Sequence, residues 1–332
     1  MSSAISVSGL TKVYRTYHKE PGFLGGLRGL YRRRFEETRA ADAVTFEIEE
    51  GELVGFLGPN GAGKTTVLKM LSGLLHPTSG EANILGFRPW ERKDAFRRQF
   101  SLVMGQKNQL WWDLPALESL NLNRSIYGLD PARSRRVLDE LVDWLGVKDK
   151  LHVMVRELSL GERMKFEIAA ALLHEPKILF LDEPTIGLDV VSHKKVRDFL
   201  GAYAKEKRVT TILTSHYMRD IEELCRRVLI IDHGKLFYDG DLSGITDRFA
   251  SHKTIGLRWS GSPVLPADLA PYGEVLERDE VTLRLRVPRA ELTALIPRLL
   301  TDLRPDDITI EEVPVEEVIR RVFTDQAAET AA

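Results

Sequence analysis

The stretch Gly58-Pro59-Asn60-Gly61-Ala62-Gly63-Lys64-Thr65-Thr66 lies between an apolar run, Leu53 to Leu57, and helix-patterned sequence from Thr65 to Leu74. It fits G-x-x-x-x-G-K-[ST], and a strand before it and a helix after it are the context that gives this pattern meaning. Glycines let backbone N–H groups curl around phosphate oxygens, and the start of the helix adds the positive end of its dipole. Lys64 adds a point charge aimed at phosphate, and Thr65 a hydroxyl placed for Mg²⁺.

Further along the chain, the same rhythm of apolar run and polar turn recurs. Ser101 to Met104 leads to Gly105-Gln106, Ile178 to Leu181 to Asp182-Glu183, and Thr210 to Thr214 to Ser215-His216. Fully apolar strands separated by helices predict an α/β fold with a parallel sheet covered on both faces. Ligands of such sheets bind at the carboxyl ends of the strands, where these polar residues sit. Asp182 is placed to hold Mg²⁺ through water, and Glu183 to polarise an attacking water. Leu114 to Leu173 reads as a helical insertion, with helix patterns at Ser134 to Leu145 and Glu162 to His174. After Asp241 the pattern changes. Val281, Leu283, Leu285 and Val287 alternate with polar residues as in a half-buried strand. Glu291 to Leu300 is helix-patterned, Ile308 and Ile310 alternate, and Val315 to Phe323 closes with a short helix. Residues 245–325 are therefore expected to form a small α+β domain after a main domain over 1–240, with 326–332 a frayed tail.

Composition narrows the classes. A chain of 332 residues carries 47 Lys and Arg against 49 Asp and Glu, net charge −2. That balance offers no electrostatic case for nucleic acid. A single cysteine, Cys225, excludes an internal disulfide and reads as a packed thiol in a helix spanning Tyr217 to Arg227. No run approaches the ~18 apolar residues of a membrane span. Met1 to Leu10 shows no secretory signal pattern. A role at a membrane would therefore need a partner that spans it.

Over about residues 5–240 the ordered motifs resemble the nucleotide-binding subunit of an ABC transporter. The resemblance implies a P-loop NTPase: a RecA-like parallel sheet core, an antiparallel β-subdomain and a helical subdomain over about 107–174. It implies ATP and Mg²⁺ as cofactors, with Gly58 to Thr66 around the phosphates and Thr65, Asp182 and Gln106 around the metal. Leu158-Ser159-Leu160-Gly161-Glu162 resembles the signature LSGGQ, which implies that Ser159, Gly161 and Glu162 meet the ATP held by another protomer. Read from the residues, Ser159 and Gly161 precede a helix and point a hydroxyl, N–H groups and a dipole at an anion. Leu160 replaces a glycine and Glu162 a glutamine, which predicts a working but weaker composite site. Gln106 resembles the family's Q-loop glutamine. Asp189, in Ile186-Gly187-Leu188-Asp189, resembles the D-loop aspartate that crosses the dimer interface, and His216 the switch histidine. Tyr14 fits the adenine-stacking aromatic, with Tyr17 an alternative.

The implied partners are a second ATPase protomer, identical or merely similar, and integral membrane permease subunits. The implied location is the cytoplasmic face of the membrane. The end of the chain, Glu312-Val313-Pro314-Val315-Glu316-Glu317-Val318, resembles the accessory domain of drug, ion and polysaccharide exporter ATPases. It implies export of a drug, antibiotic, lipid or other hydrophobic compound, with an ion or polysaccharide second. A soluble ABC-type ATPase of DNA repair or translation fits less well. The helical region is too short for long coiled coils, only one phosphate loop is present, and the charge is near neutral. A nucleotide-switch protein fits less well too, because Glu183 and the signature argue for turnover in a dimer.

One segment falls outside the family pattern. In residues 17–41, Leu24, Leu27, Tyr31 and Phe35 recur at helical spacing, and Arg28, Arg32, Arg33, Arg34 and Arg39 outweigh Glu36 and Glu37. Four glycines confine any helix to about Leu27 to Glu37. A loop capping the β-subdomain, docking on the membrane partner and contact with an anionic leaflet are the three readings of this insertion.

Overall fold

In the computed structural model, residues 3–17, 35–249, 252–266, 268–313 and 316–319 are described. The chain divides into two units, Met1–Gly240 and Asp241–Ala332.

The elements of the first unit run in chain order. β1 (Ser3–Tyr17), β2 (Phe35–Glu49) and β3 (Leu53–Leu57) lead to α1 (Lys64–Leu71). β4 (Ser79–Ile84), the short α2 (Asp94–Arg97) and β5 (Phe100–Met104) follow. Three helices come next, α3 (Ala116–Tyr127), α4 (Pro131–Leu145) and α5 (Leu160–Leu172). β6 (Ile178–Asp182), α6 (Val190–Lys207), β7 (Thr210–Thr214), α7 (Met218–Leu224), β8 (Arg227–Asp232) and β9 (Lys235–Asp241) complete it.

The main sheet has the order β5-β6-β7-β3-β8-β9. β5 to β6, β6 to β7, β7 to β3 and β3 to β8 all pair in parallel. Every residue of β6 and β7 is buried, the threonines of β7 included, as strands covered on both faces of a parallel sheet are. Parallel pairing puts the carboxyl ends of β3, β5, β6 and β7 along one edge, so the four polar turns read from the sequence open on the same side. A second sheet, β2-β1-β4, is antiparallel. It shares one apolar core with β3 and α1, built on Ile5, Leu10, Val44, Ile48, Phe56, Val67 and Leu71.

Local chemistry sets the helix ends. Asp130 caps α4 by accepting the Arg133 N–H, Pro131 occupies its first turn, and Gly146 ends it in the left-handed region. The helix after the phosphate loop stops at Leu71 rather than Leu74, because Gly73 turns left-handed at φ 70°. The helix holding Ile221 stops at Leu224, and Cys225 lies just past it in extended backbone, not inside the helix as expected. It is nonetheless a buried thiol whose burial raises its pKa, so it is inert at neutral pH.

The 17–41 segment departs from its expected helix where it is described. Phe35 to Ala41 is strand, paired with β1 from Tyr17↔Phe35 to Lys12↔Ala41. The β1 backbone supplies ladder hydrogen bonds that a helix over Phe35–Glu37 would forfeit, and Arg15 adds an ion pair to Glu37 at 2.8 Å. Leu24, Leu27, Arg28, Tyr31, Arg32, Arg33 and Arg34 lie outside the described residues.

The second unit carries α8 (Leu242–Phe249), β10 (His252–Arg258), β11 (Glu274–Arg278), β12 (Thr282–Pro288), α9 (Leu292–Arg298) and β13 (Asp307–Glu312). Its sheet is antiparallel, ordered β11-β12-β10-β13. Leu283, Leu285 and Val287 face a core with Ile255, Leu257, Leu295 and Leu299. The helix expected over Glu291 to Leu300 ends at Arg298 and passes into a π turn, Leu299–Leu303, shortly after Pro297. On β13 only Ile308 packs against the core, and Ile310 is exposed at the sheet edge. Of the closing helix, residues 316–319 are helical. The rest of it and the 326–332 tail lie outside the described residues.

Candidate functional site

The phosphate loop joins β3, the strand between β7 and β8, to α1. Gly63 takes φ 109° as the N-cap of α1, and a Cβ there would run into the Ala40 carbonyl oxygen. No side-chain cap closes α1, so its first-turn N–H groups stay available to an outside acceptor. The loop is pinned from behind: Ala62 N–H donates to Pro59 O, and Ala62 O accepts from Gly234 N–H. Asn60 and Gly61 are exposed at its tip.

Lys64 folds back over this loop. Its ammonium donates to Gly58 O at 2.6 Å and to Pro59 O at 3.0 Å. Burial pushes its pKa below the usual lysine range, opposed by the Glu183 and Asp182 carboxylates. A phosphate would offer this cation stronger, charged acceptors than two carbonyls.

Beside the loop, Thr65 Oγ1 donates to Asp182 Oδ2 at 2.8 Å, and Thr214 Oγ1 to Asp182 Oδ1 at 2.8 Å. Thr214 also receives the Glu183 N–H, at 3.1 Å on its hydroxyl and 3.1 Å on its carbonyl. The parallel register Asp182↔Thr214 makes this possible. Glu183 adopts φ 56°, a left-handed backbone rare for a non-glycine residue and a form of strain that collects at functional sites. Its Oε1 lies 2.7 Å from His216 Nε2, while its Oε2 is buried with no partner. A buried carboxylate oxygen left open in this way suits a water molecule.

The signature segment stands apart. Ser159 caps α5 and accepts the Glu162 N–H, while Glu162 Oε2 accepts from Ser159 N–H at 2.9 Å and Ser159 Oγ at 2.8 Å. This is a capping box, and these bonds hold the Glu162 carboxyl below the usual range. The serine hydroxyl and the glutamate therefore engage each other within the chain. Gly161 lies so close to Ser192 Oγ that a Cβ there would collide with it. Asp189 in turn caps α6, accepting from Val191 and Ser192 N–H at 3.0 Å each. Among the described residues, no hydrogen bond or ion pair joins Ser159–Glu162 to the phosphate loop.

Gln106 is exposed in the turn after β5. Just beyond it, the buried Glu167 of α5 accepts the N–H groups of Gln109 and Leu110 at 2.9–3.2 Å. Tyr14 is exposed on β1, with Lys12 Nζ 5.5 Å from its ring centre, opposite Thr38 and close to the Ala40 that abuts Gly63. The fold thus gathers Lys64, Thr65, Asp182, Glu183 and His216 at one sheet edge. Thr214, which bonds both Asp182 and the Glu183 N–H, was missed from sequence, as was the buried Glu167 beside the turn that follows Gln106. Thr214 carried one signal, a hydroxyl at the carboxyl end of the strand that leads into Ser215-His216; Glu167 looked like any polar helix residue.

The assembly holds an anion cradle, a cation and two carboxylates, which suits a nucleoside triphosphate. Comparison with known proteins supplies the family. Residues 41–186 match the family described as ABC transporter, and residues 251–311 match the family described as EvrA-like ABC transporter, C-terminal domain. The ABC transporter ATP-binding protein NatA of Bacillus subtilis is 34% identical over 217 residues, 64% of this chain and 88% of NatA. This chain is an ATP-binding subunit of the ABC transporter family. The daunorubicin/doxorubicin resistance ATP-binding protein DrrA of Streptomyces peucetius is 30% identical over 325 residues, 95% of this chain and 91% of DrrA. A solved ATP-binding subunit of an ABC transporter, 27% identical, superposes with a TM-score of 0.61 over 74% of this chain and 93% of its own length. As an ABC subunit the chain binds nucleotide. Among its described residues no helix is long and apolar enough to cross a membrane.

Proposed function

We propose that this chain is the ATP-hydrolysing motor of an exporter, acting on the cytoplasmic face of a membrane through separate permease subunits. The observation that carries the chemistry is the Glu183–His216 pair, 2.7 Å apart, with the second Glu183 oxygen buried and open. Glu183 polarises the attacking water, His216 orients that carboxylate and meets the γ-phosphate, and Lys64 leaves its two carbonyls for the β- and γ-phosphates. Gly58 to Thr66 wrap the phosphates through their N–H groups. Tyr14 stacks on the adenine. Thr65, Asp182 and Gln106 offer hydroxyl, carboxylate and amide oxygens, a hard donor set that fits Mg²⁺. Bound there, the ion supplies positive charge to the phosphate oxygens.

The separation of Ser159, Gly161 and Glu162 from the phosphate loop within one chain supports a composite site. In a dimer with an identical or similar subunit, the signature of one protomer closes on the ATP of the other, with Asp189 near the crossing. The capping box sets a condition: Ser159 Oγ must turn from Glu162 to reach phosphate. The exposed Trp111 and Trp112, five and six residues past Gln106, support docking of the permease on the helical subdomain. Export of a drug, antibiotic, lipid or other hydrophobic compound is supported by DrrA, whose similarity runs through both units, and by the EvrA-like match beyond residue 250.

Copurification of the chain with its permease, followed by ATPase assays against a panel of hydrophobic compounds, tests this reading. Mg²⁺-dependent turnover raised by such compounds and absent with Glu183→Gln is the expected result. Turnover indifferent to every hydrophobic compound but raised by an ion or a polysaccharide would reassign the cargo.

A further inference from the structure

Beneath the Glu183–His216 pair lies a buried polar cluster that the mechanism above does not use. Asp220, in α7, is buried. Its Oδ2 accepts Thr185 Oγ1 at 2.7 Å and Ser215 Oγ at 3.0 Å. Ser215 Oγ in turn accepts the Tyr217 N–H at 3.0 Å. From α6, His193 Nε2 stands 3.2 Å from Asp220 Oδ2, with its ring edge-on to Tyr217 at 4.8 Å. Arg197, also on α6, stands 3.8 Å from Asp220 Oδ1 and bonds Glu223 at 2.8 Å.

The topology of these contacts is specific. Thr185 is two residues past Glu183. Ser215 and Tyr217 flank His216 on both sides. One carboxylate therefore holds the chain two residues past the water-polarising group and just before its histidine partner, and through Ser215 Oγ it also reaches the residue just after that histidine. The pair needs such a hold. Glu183 sits in a left-handed backbone that persists only where the surroundings over-determine it, and His216 is too exposed to be fixed by packing. Thr214 fixes the Glu183 backbone from one side; Asp220 ties the two loops together from the other.

We propose that Asp220 is a positioning residue for ATP hydrolysis, its carboxylate clamping Thr185 and Ser215 so that Glu183 and His216 stay in register. This rests on the reading of Glu183 and His216 as the hydrolytic pair. Asp220 is buried behind that pair and bonds no residue of the phosphate loop, so its loss acts on the chemical step and leaves the loop intact.

The test is a set of variants of the full chain assayed for turnover and, separately, for affinity with a fluorescent ATP analogue. Asp220→Asn lowers kcat by about 10-fold or more, the scale of a small misplacement of reacting groups, with nucleotide affinity within about twofold. Ser215→Ala and Thr185→Val each lower kcat less, and Ser215→Ala adds nothing in the Asp220→Asn background because both act through one hub. A wild-type kcat in Asp220→Asn beside a dead Glu183→Gln overturns the proposal alone. Parallel loss of affinity and kcat overturns it as well, since that marks a general structural role. So do additive losses from Ser215→Ala and Asp220→Asn. Normal turnover in Glu183→Gln and His216→Ala overturns the underlying reading instead. Should Asp220→Asn fail to fold, Ser215→Ala and Thr185→Val, which keep the carboxylate and one of its two hydroxyl donors, decide the matter by the same split between kcat and affinity.

Discussion

Along the carboxyl edge of β3, β5, β6 and β7, polar side chains are bonded to one another and, His216 apart, buried or half-buried: Thr65 and Thr214 to Asp182, His216 to Glu183, Thr185 and Ser215 to Asp220. On the outer face of the β10–β13 sheet, polar side chains pair across strands closer to water, as Arg284 with Glu311 at 2.7 Å, where both partners are exposed. The physics differs accordingly. Removing one partner of a buried polar contact leaves the other desolvated and unpaired, whereas exposed pairs are screened and worth ~0–1 kcal/mol. The first region holds polar groups in arrangements that folding alone would not favour, which is the mark of a site. The second holds them where they cost little, and its stability comes from Leu283, Leu285, Val287 and Ile255 beneath.

This contrast between the two regions is open to direct challenge, and the largest effect is expected at Glu183. Glu183→Gln should cut turnover by about 10²–10⁴ while ATP binding persists, read by phosphate release and by nucleotide affinity. Near-normal release would remove Glu183 from the role. In the second unit the vulnerable group is apolar. Leu285→Ala should destabilise that unit by about 2–5 kcal/mol, visible as an early thermal transition, and leave ATP affinity unchanged. Loss of ATP binding in this variant would erase the division between the regions. Lys64→Ala should weaken nucleotide binding by about 1.5–3 kcal/mol, the worth of hydrogen bonds to a charged group, whatever it does to turnover. The smallest effect belongs to the exposed pairs: Arg284→Ala should shift stability by no more than ~1 kcal/mol, a change that high salt makes smaller still. A larger shift would mean that the outer face of the second sheet is not simply solvated.

Much of the site was legible in the sequence because its parts are local. The phosphate loop, Asp182-Glu183 and His216 each follow a short buried strand, and strand, turn and helix start lie within about ten residues. The helix ends were less legible. Helix-patterned sequence is cut short by single backbone events, such as the left-handed Gly73 after α1 and the π turn after Arg298, that no periodicity announces. At Phe35–Glu37 the helical spacing of apolar residues misled, because β1 offers ladder bonds that outweigh a weak local preference.

The parallel sheet, the order of the motifs and the family could all be read from the chain alone, since period, turn chemistry and residue spacing act over short range. Which distant groups meet was settled by the fold. Thr65 and Asp182 are 117 positions apart, and their hydrogen bond exists because parallel pairing sets β6 beside β7 and β7 beside β3. The same pairing brings Thr214 to Asp182, and the packing of α6 and α7 brings Asp220 under both Thr185 and Ser215. A buried carboxylate must find its donors wherever the fold puts them, and register across a sheet, not distance along the chain, fixes where that is.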